Sequence, residues 1–239
     1  MPASAEPGRT FGRVAEAYRR TRPPYSRAAI DRAAHELELT RDSRVLDLGA
    51  GTGNLTRTLR RQFAHVVAVE PDEKMRLQFD GEVLAGSAEA IPLADGAVDA
   101  VFAGEAFHWF DPERALAECS RVARGLAILM RSWGETEQPG LLPASVWDEL
   151  DEIWRRFHGG TSREELHDWR DAVQPDGNET FVESVRISGR DLVDLHLTAS
   201  TPASIPEQER EAIAARAYPL MEDSYDLRVV TYLYWKRLR

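Results

Sequence analysis

The chain is poor in the residues that would cross-link it or hold it in a membrane. Its 239 residues include one cysteine, Cys119, which excludes a disulfide within the chain and any zinc site built on a cysteine cluster. Ala115, Leu116 and Val122 lie near it at helical spacing, so the thiol is expected to fill an apolar helix face. No window approaches the roughly eighteen uninterrupted apolar residues of a membrane span. The first residues carry Glu6 and no apolar run, unlike a secretory signal, and the expected location is the cytoplasm. His158, His167 and His196 are too scattered for metal-ligand spacing, and no metal is expected. Repeats, low-complexity tracts and a clear linker are also missing, which points to a single domain over 1–239.

What the chain does contain is ordinary for a globular protein: 43% hydrophobic and 29% charged residues. Acidic residues number 40 against 30 basic ones, a formal charge of −10. That balance argues against a broad nucleic-acid or anionic-membrane footprint. A small-molecule partner is expected, with neither nucleic acid nor membrane, and a monomer or homodimer.

Hydrophobic patterning gives the order of elements. Phe11, Val14, Ala15 and Tyr18 share one helix face. Arg22-Pro23-Pro24-Tyr25 breaks that helix, because neither proline can donate a backbone hydrogen bond. A second helix is expected from Ser26, its N-cap, to Leu37. Strands follow at Val45–Leu48, His65–Glu70, Val83–Ala85, Val98–Ala103 and Leu126–Met130. Helices are predicted between them at Asn54–Phe63, Asp72–Phe79 and from Asp111-Pro112-Glu113 to Gly125, the last with an N-cap, an early proline and an early acid. Valine-rich His65–Glu70 lacks polar alternation, as a strand buried on both faces does. Strands alternating with helices mean a doubly wound, mainly parallel α/β sheet. After Trp133 the rhythm stops. Helices are expected at Val146–Phe157, Gly189–Ala199 and Pro206–Met221, with strands at Phe181–Ser188 and Leu227–Leu238.

The chemistry concentrates at the end of the first strand, in Asp47-Leu48-Gly49-Ala50-Gly51-Thr52-Gly53. Glycines between a parallel strand and a helix let a ligand approach the backbone, since no Cβ stands in the way. The helix N-terminus behind them offers free amides. Dinucleotides and S-adenosylmethionine both use such a loop. A dinucleotide fingerprint calls for glycine at position 54, where this chain has Asn54. Asp47 would repel a pyrophosphate, yet suits an ammonium group. Glu70 ends the second strand, and Pro71 biases it to extended backbone. Its carboxylate is placed for two ribose hydroxyls, although a solvated acid at a strand end is also common.

With these motifs in order, the chain resembles the class I S-adenosylmethionine-dependent methyltransferases. The resemblance rests on Asp47 to Gly53, Val67-Ala68-Val69-Glu70-Pro71, Gly86 to Leu93 and Asp95 to Val101. It also includes Ala106-Phe107-His108-Trp109-Phe110 and Tyr18-Arg19-Arg20-x-Arg22-Pro23-Pro24-Tyr25. It spans roughly residues 11–133 and is nearest the small-molecule group, similar to ubiquinone/menaquinone C-methyltransferases and trans-aconitate methyltransferase (a type 11 methyltransferase domain). The resemblance implies a Rossmann-like seven-stranded sheet with a helical cover over the active site. A cofactor core would run over about 36–133, a lid or substrate cover over 11–35 and 134–221, and the final strand over 222–239.

Asp47, Gly49, Gly51 and Gly53 would then line the methionine end of S-adenosylmethionine, Glu70 the ribose, and Pro71 the adenine flank. Relatives often carry an aspartate after the third strand; here Ser87 stands in that place, followed by Ala88. A Pro-Gly-Gly turn usual before the fifth strand is shortened to Arg124-Gly125. His108 would act as a general base near the transferred methyl group, or pack beneath the lid. Glu105 would touch the sulfonium side or cap its loop. Phe107, Trp109 and Tyr25 would wall the acceptor pocket and Tyr18 the cofactor, with aromatic faces favouring a cationic sulfur; Tyr18 at helical spacing also fits a core role. The expected activity is methyl transfer to a small molecule. A silent S-adenosylmethionine-binding protein and an NAD-type oxidoreductase are the alternatives.

Overall fold

A computed structural model describes residues 15–133, 138–158, 169–199, 202 and 205–238. The expected helix residues Phe11 and Val14, and His167, lie outside these. In chain order the elements are α1 (Ala15–Thr21), α2 (Arg27–Glu36), β1 (Arg44–Leu48), α3 (Asn54–Gln62), β2 (His65–Glu70), α4 (Glu73–Arg76), β3 (Leu84–Ala85), β4 (Ala100–Gly104), α5 (Pro112–Val122), β5 (Gly125–Ser132), α6 (Ala144–His158), α7 (Arg170–Val173), β6 (Gly177–Ser188), α8 (Gly189–Leu197), α9 (Glu207–Ala217) and β7 (Ser224–Arg237).

The seven strands form one sheet in the order β3-β2-β1-β4-β5-β7-β6. The neighbours among β1 to β5 are parallel, so the doubly wound, mainly parallel sheet expected from the sequence is the one found. β1 has β2 on one side, with Leu48 opposite Val69, and β4 on the other, with Asp47 opposite Phe102. The winding therefore reverses between β1 and β4. Ligands of open α/β sheets bind at such a switch, beyond the carboxyl ends of the strands.

The chain divides into two compact units, with boundaries inside β6 and β7. The unit of residues 24–131, 167–181 and 230–239 is built on two apolar layers. Leu46, Leu48, Val101 and Ile128 join Ala115, Cys119 and Val122 of α5 in one layer. Val45, Phe102 and Leu129 join Ile30 of α2 and Leu59 of α3 in the other. Alternate residues of each strand enter opposite layers because side chains alternate across a strand. Both faces are thus covered, which explains the valine-rich strands. Cys119 is wholly buried, and burial pushes its thiol up to about 12.

Local signals set the helix starts. Ser26 accepts from the Ala29 N–H, Asp72 from Met75 and Asp111 from Arg114, each satisfying an amide that the first turn leaves open. The helix predicted over Asp72–Phe79 is shorter. After Arg76 the N–H groups of Gln78 and Phe79 donate three residues back, to Met75 and Arg76, a tighter winding. Gly125 opens β5 opposite Ala100 and is not the end of α5, which stops at Val122.

The second unit holds residues 1–23, 132–166 and 182–229. Its core gathers Leu142, Ile153, Leu192, Leu195, Ile213 and Val229, among others. α1 is held to α8 by Arg20, which pairs with Asp191 and Asp194. Tyr18 lies in this unit, with the Arg22 guanidinium 4.4 Å from its ring centre. Among the described residues, no helix is long and apolar enough to cross a membrane.

Candidate cofactor and active site

Gly49, Gly51 and Gly53 all adopt left-handed backbone, with φ of +71°, +57° and +82°. Only glycine does so without strain. Space around them differs sharply. A Cβ on Gly49 would stand 2.7 Å from Ala106 Cβ and 3.1 Å from Phe110 Cζ, and one on Gly53 2.9 Å from the Phe79 ring. A Cβ on Gly51 would meet nothing within 4 Å. The outer glycines admit the protein's own side chains, whereas the middle one faces open space.

Glu70 is buried and already oriented. Its Oε2 accepts the Gly51 N–H at 2.7 Å and its Oε1 the Asp72 N–H at 2.8 Å. Burial raises its pKa above the ordinary carboxylate value, while those two backbone hydrogen bonds act in the opposite direction. Arg76 steadies the strand end from outside, donating to the carbonyls of Glu70 and Pro71. Pro71 itself is exposed.

Asp47 is 1% exposed. Its Oδ2 accepts from the Thr56 hydroxyl of α3, and its Oδ1 has no hydrogen-bond partner among the described residues. Burial drives the carboxyl up to about 7, with the Thr56 hydrogen bonds opposing. Ser87 follows β3, whose Ala85 pairs with Glu70, and bridges to Ala90. Ala88 is buried in the core.

At the carboxyl end of β4 the chain turns sharply. Glu105 has φ +53°, and its N–H donates to Leu129 O at 2.9 Å. Its carboxylate points back to β5 and accepts the Arg131 N–H. The Arg131 guanidinium lies 3.7 Å from the centre of the Tyr25 ring. Tyr25 is buried and closes on Gly104, where a Cβ would be 2.5 Å from the phenol oxygen.

Beyond the turn, Phe107–Trp109 form one 3-10 turn. Phe107 is wholly buried, edge-on to Phe110 at 5.4 Å and to Trp169 at 5.6 Å. His108 and Trp109 are half-buried, with ring centres 4.6 Å apart. Among the described residues no three His, Cys, Asp or Glu side chains could hold a metal.

Asp47, the three glycines, Glu70 and Pro71 therefore meet around the carboxyl ends of β1 and β2. Ser87 and Ala88 follow at the edge, and Glu105 to Trp109 across the switch. Tyr18 belongs to the other unit. Phe79, Phe110 and Arg131 are absent from the sequence-derived set. A phenylalanine after a helix and an arginine in a strand carry no periodic mark of such contacts.

Residues 46–130 match the family model of a methyltransferase domain. The chain is 35% identical over 225 residues to a methyltransferase of Mycobacterium bovis, covering 89% of this chain and 85% of that protein. It is 31% identical over 139 residues to the demethylmenaquinone methyltransferase of Thermotoga maritima, covering 53% of this chain and 59% of that enzyme. A solved structure described as a type II methyltransferase from Anaeromyxobacter dehalogenans shares the fold, with a TM-score of 0.58 and 22% identity over 91% of this chain and 98% of that one. The glycine loop, the acid ending β2 and a relative matched over most of its length agree, and the chain belongs to the class I S-adenosylmethionine-dependent methyltransferases.

Proposed function

We propose that the enzyme methylates a small-molecule acceptor, with the donor lying along the Asp47–Gly53 loop and against Glu70. One observation carries this reading. Of the three left-handed glycines in the Asp47–Gly53 loop only Gly51 faces open space, and its amide is tied to the Glu70 carboxylate at 2.7 Å.

The residues fit the donor group by group. An ammonium needs a buried acceptor, and Asp47 Oδ1 has no hydrogen-bond partner among the described residues. Ribose hydroxyls need acceptors, and each Glu70 oxygen that takes one backbone N–H keeps a further lone pair. We assign Pro71, Ser87 and Ala88 to the adenine rim, because Ser87 and Ala88 follow the strand paired beside Glu70.

S-adenosylmethionine supplies a methyl group already activated by its sulfonium, which leaves the protein mainly to align the acceptor. In our reading His108 takes the proton from the acceptor nucleophile, Trp109 and Tyr25 shape the wall, and Phe107 supports that wall from the core. A monomer or homodimer works in the cytoplasm without nucleic acid. A small organic acceptor is supported by the net charge of −10, which disfavours polyanions, and by the relative named for demethylmenaquinone.

Calorimetry with S-adenosylhomocysteine and NAD tests the donor site: the first is expected to bind and the second not. Release of S-adenosylhomocysteine is then followed against quinols, phenols and carboxylic acids. Turnover only on protein or nucleic acid would overturn the small-molecule assignment.

A further inference from the structure

We infer that Arg131 is a positioning residue of the methyltransferase site: it holds the Glu105 turn that delivers Ala106 and Phe110 onto the glycine loop.

Three relationships lead there. Glu105 carries a full side chain at φ +53°, a conformation that persists only where the surroundings over-determine it. β5 supplies part of those surroundings. Leu129 O takes the Glu105 N–H, the Glu105 carboxylate takes the backbone N–H of Arg131, and the Arg131 side chain adds its charge, with Nε 3.9 Å from the same carboxylate oxygen. The carboxylate extends the β4–β5 ladder by one bond after β4 has ended at Gly104.

The Arg131 side chain is itself fully buried. A buried guanidinium persists where charge and aromatic surface compensate its lost hydration. Glu105 provides the charge, and the Tyr25 ring, 3.7 Å away, provides the aromatic face. Tyr25 in turn closes on Gly104, where no side chain fits. One cation thus ties together both residues that flank the end of β4.

The turn aims the segment that follows. Ala106 Cβ and the Phe110 ring stand 2.7 Å and 3.1 Å from the place of a Gly49 Cβ, so no slack separates the turn from the loop. Relaxing Glu105 into an ordinary conformation would swing these two groups off Gly49, and the loop would lose its backing. Arg131 acts at a distance, through Glu105.

The inference rests on the loop as the donor site. The test is the affinity for S-adenosylhomocysteine, by calorimetry, of the wild type, Arg131→Met, Glu105→Gly and the double variant. Arg131→Met is expected to weaken binding about tenfold, equivalent to about 1.4 kcal/mol, and Arg131→Lys by less. Glycine adopts the left-handed turn unaided. In the Glu105→Gly background, removing Arg131 should therefore change affinity less than twofold, whatever it does to the melting temperature. Wild-type affinity in Arg131→Met, or a full tenfold loss in both backgrounds, overturns the positioning role. Should Arg131→Met fail to fold, Arg131→Lys in the two backgrounds makes the same comparison. A wild type that does not bind S-adenosylhomocysteine overturns the donor site as well, a result distinct from either.

Discussion

The backbone N–H of Gly51 donates to Glu70 Oε2 at 2.7 Å, joining the middle of the glycine loop to the end of the neighbouring strand. Two motifs nineteen residues apart are thereby one structural unit. The carboxylate holds the loop, and the loop amide aims the carboxylate.

Replacing Glu70 should therefore damage both partners. Glu70→Ala removes the acceptor of the Gly51 and Asp72 amides and the proposed ribose contacts. A hydrogen bond to a charged group contributes about 1.5–3 kcal/mol, so S-adenosylhomocysteine affinity should fall at least about tenfold, with a lower melting temperature. Calorimetry on folded Glu70→Ala checks this; unchanged affinity removes Glu70 from the site.

The three loop glycines should separate into two classes. Gly51→Ala meets no atom and incurs only the left-handed backbone penalty, about 1–2 kcal/mol. It should stay folded yet bind S-adenosylhomocysteine poorly, because the methyl enters the open space. Gly49→Ala and Gly53→Ala carry the same penalty plus contact with Ala106 or Phe79, and should melt lower still. Parallel thermal melts and titrations distinguish the classes, and equal melting of all three would contradict the packing described.

Asp47 should make the free enzyme sensitive to pH in a definite direction. Its carboxyl is raised from 3.8 to about 7 in the folded chain. Between these values the folded state holds a proton that the unfolded chain has released. The associated stability is complete below about 4 and is lost as pH rises toward 7. The loss is roughly 4 kcal/mol at most. Asp47→Asn should flatten this dependence and melt higher than the wild type at pH 8, while binding S-adenosylhomocysteine more weakly. In the wild type at pH 6, the ligand's ammonium should expel the proton, which titrations in buffers of different ionisation enthalpy would register. Identical pH profiles for the two proteins would rule this out.

Cys119 should be chemically silent. It is wholly buried with its thiol raised to about 12, and the thiolate is the reactive form. A thiol reagent is expected to find no cysteine in the folded chain and one after denaturation. Prompt labelling of native protein would contradict the packing of α5.

The positions of Asp47, the glycine loop and Glu70 were readable from sequence because they are set locally. A strand end, a tight turn and an acid before proline each need particular residue types at short spacing. The start of α5 was readable for the same reason, since Asp111, Pro112 and Glu113 are neighbours. By contrast, the placements of Phe79, Phe110 and Arg131 were invisible. Phe79 meets Gly53 from beyond α4, which stops at Arg76 and so is shorter than its periodicity predicts. Phe107 and Phe110, three residues apart in one aromatic segment, look alike in sequence; packing sends the first into the core and the second to Gly49.

By itself, the sequence determined the doubly wound sheet, the glycine loop and the acid beside it, since these follow from periodicity, glycine conformation and charge within short segments. Only the tertiary structure decided which glycine faces open space, that Asp47 is buried enough to hold a proton near neutrality, and that Glu105 turns toward Arg131. Those outcomes depend on how segments far apart in the chain crowd one another, and crowding is a property of the packed molecule.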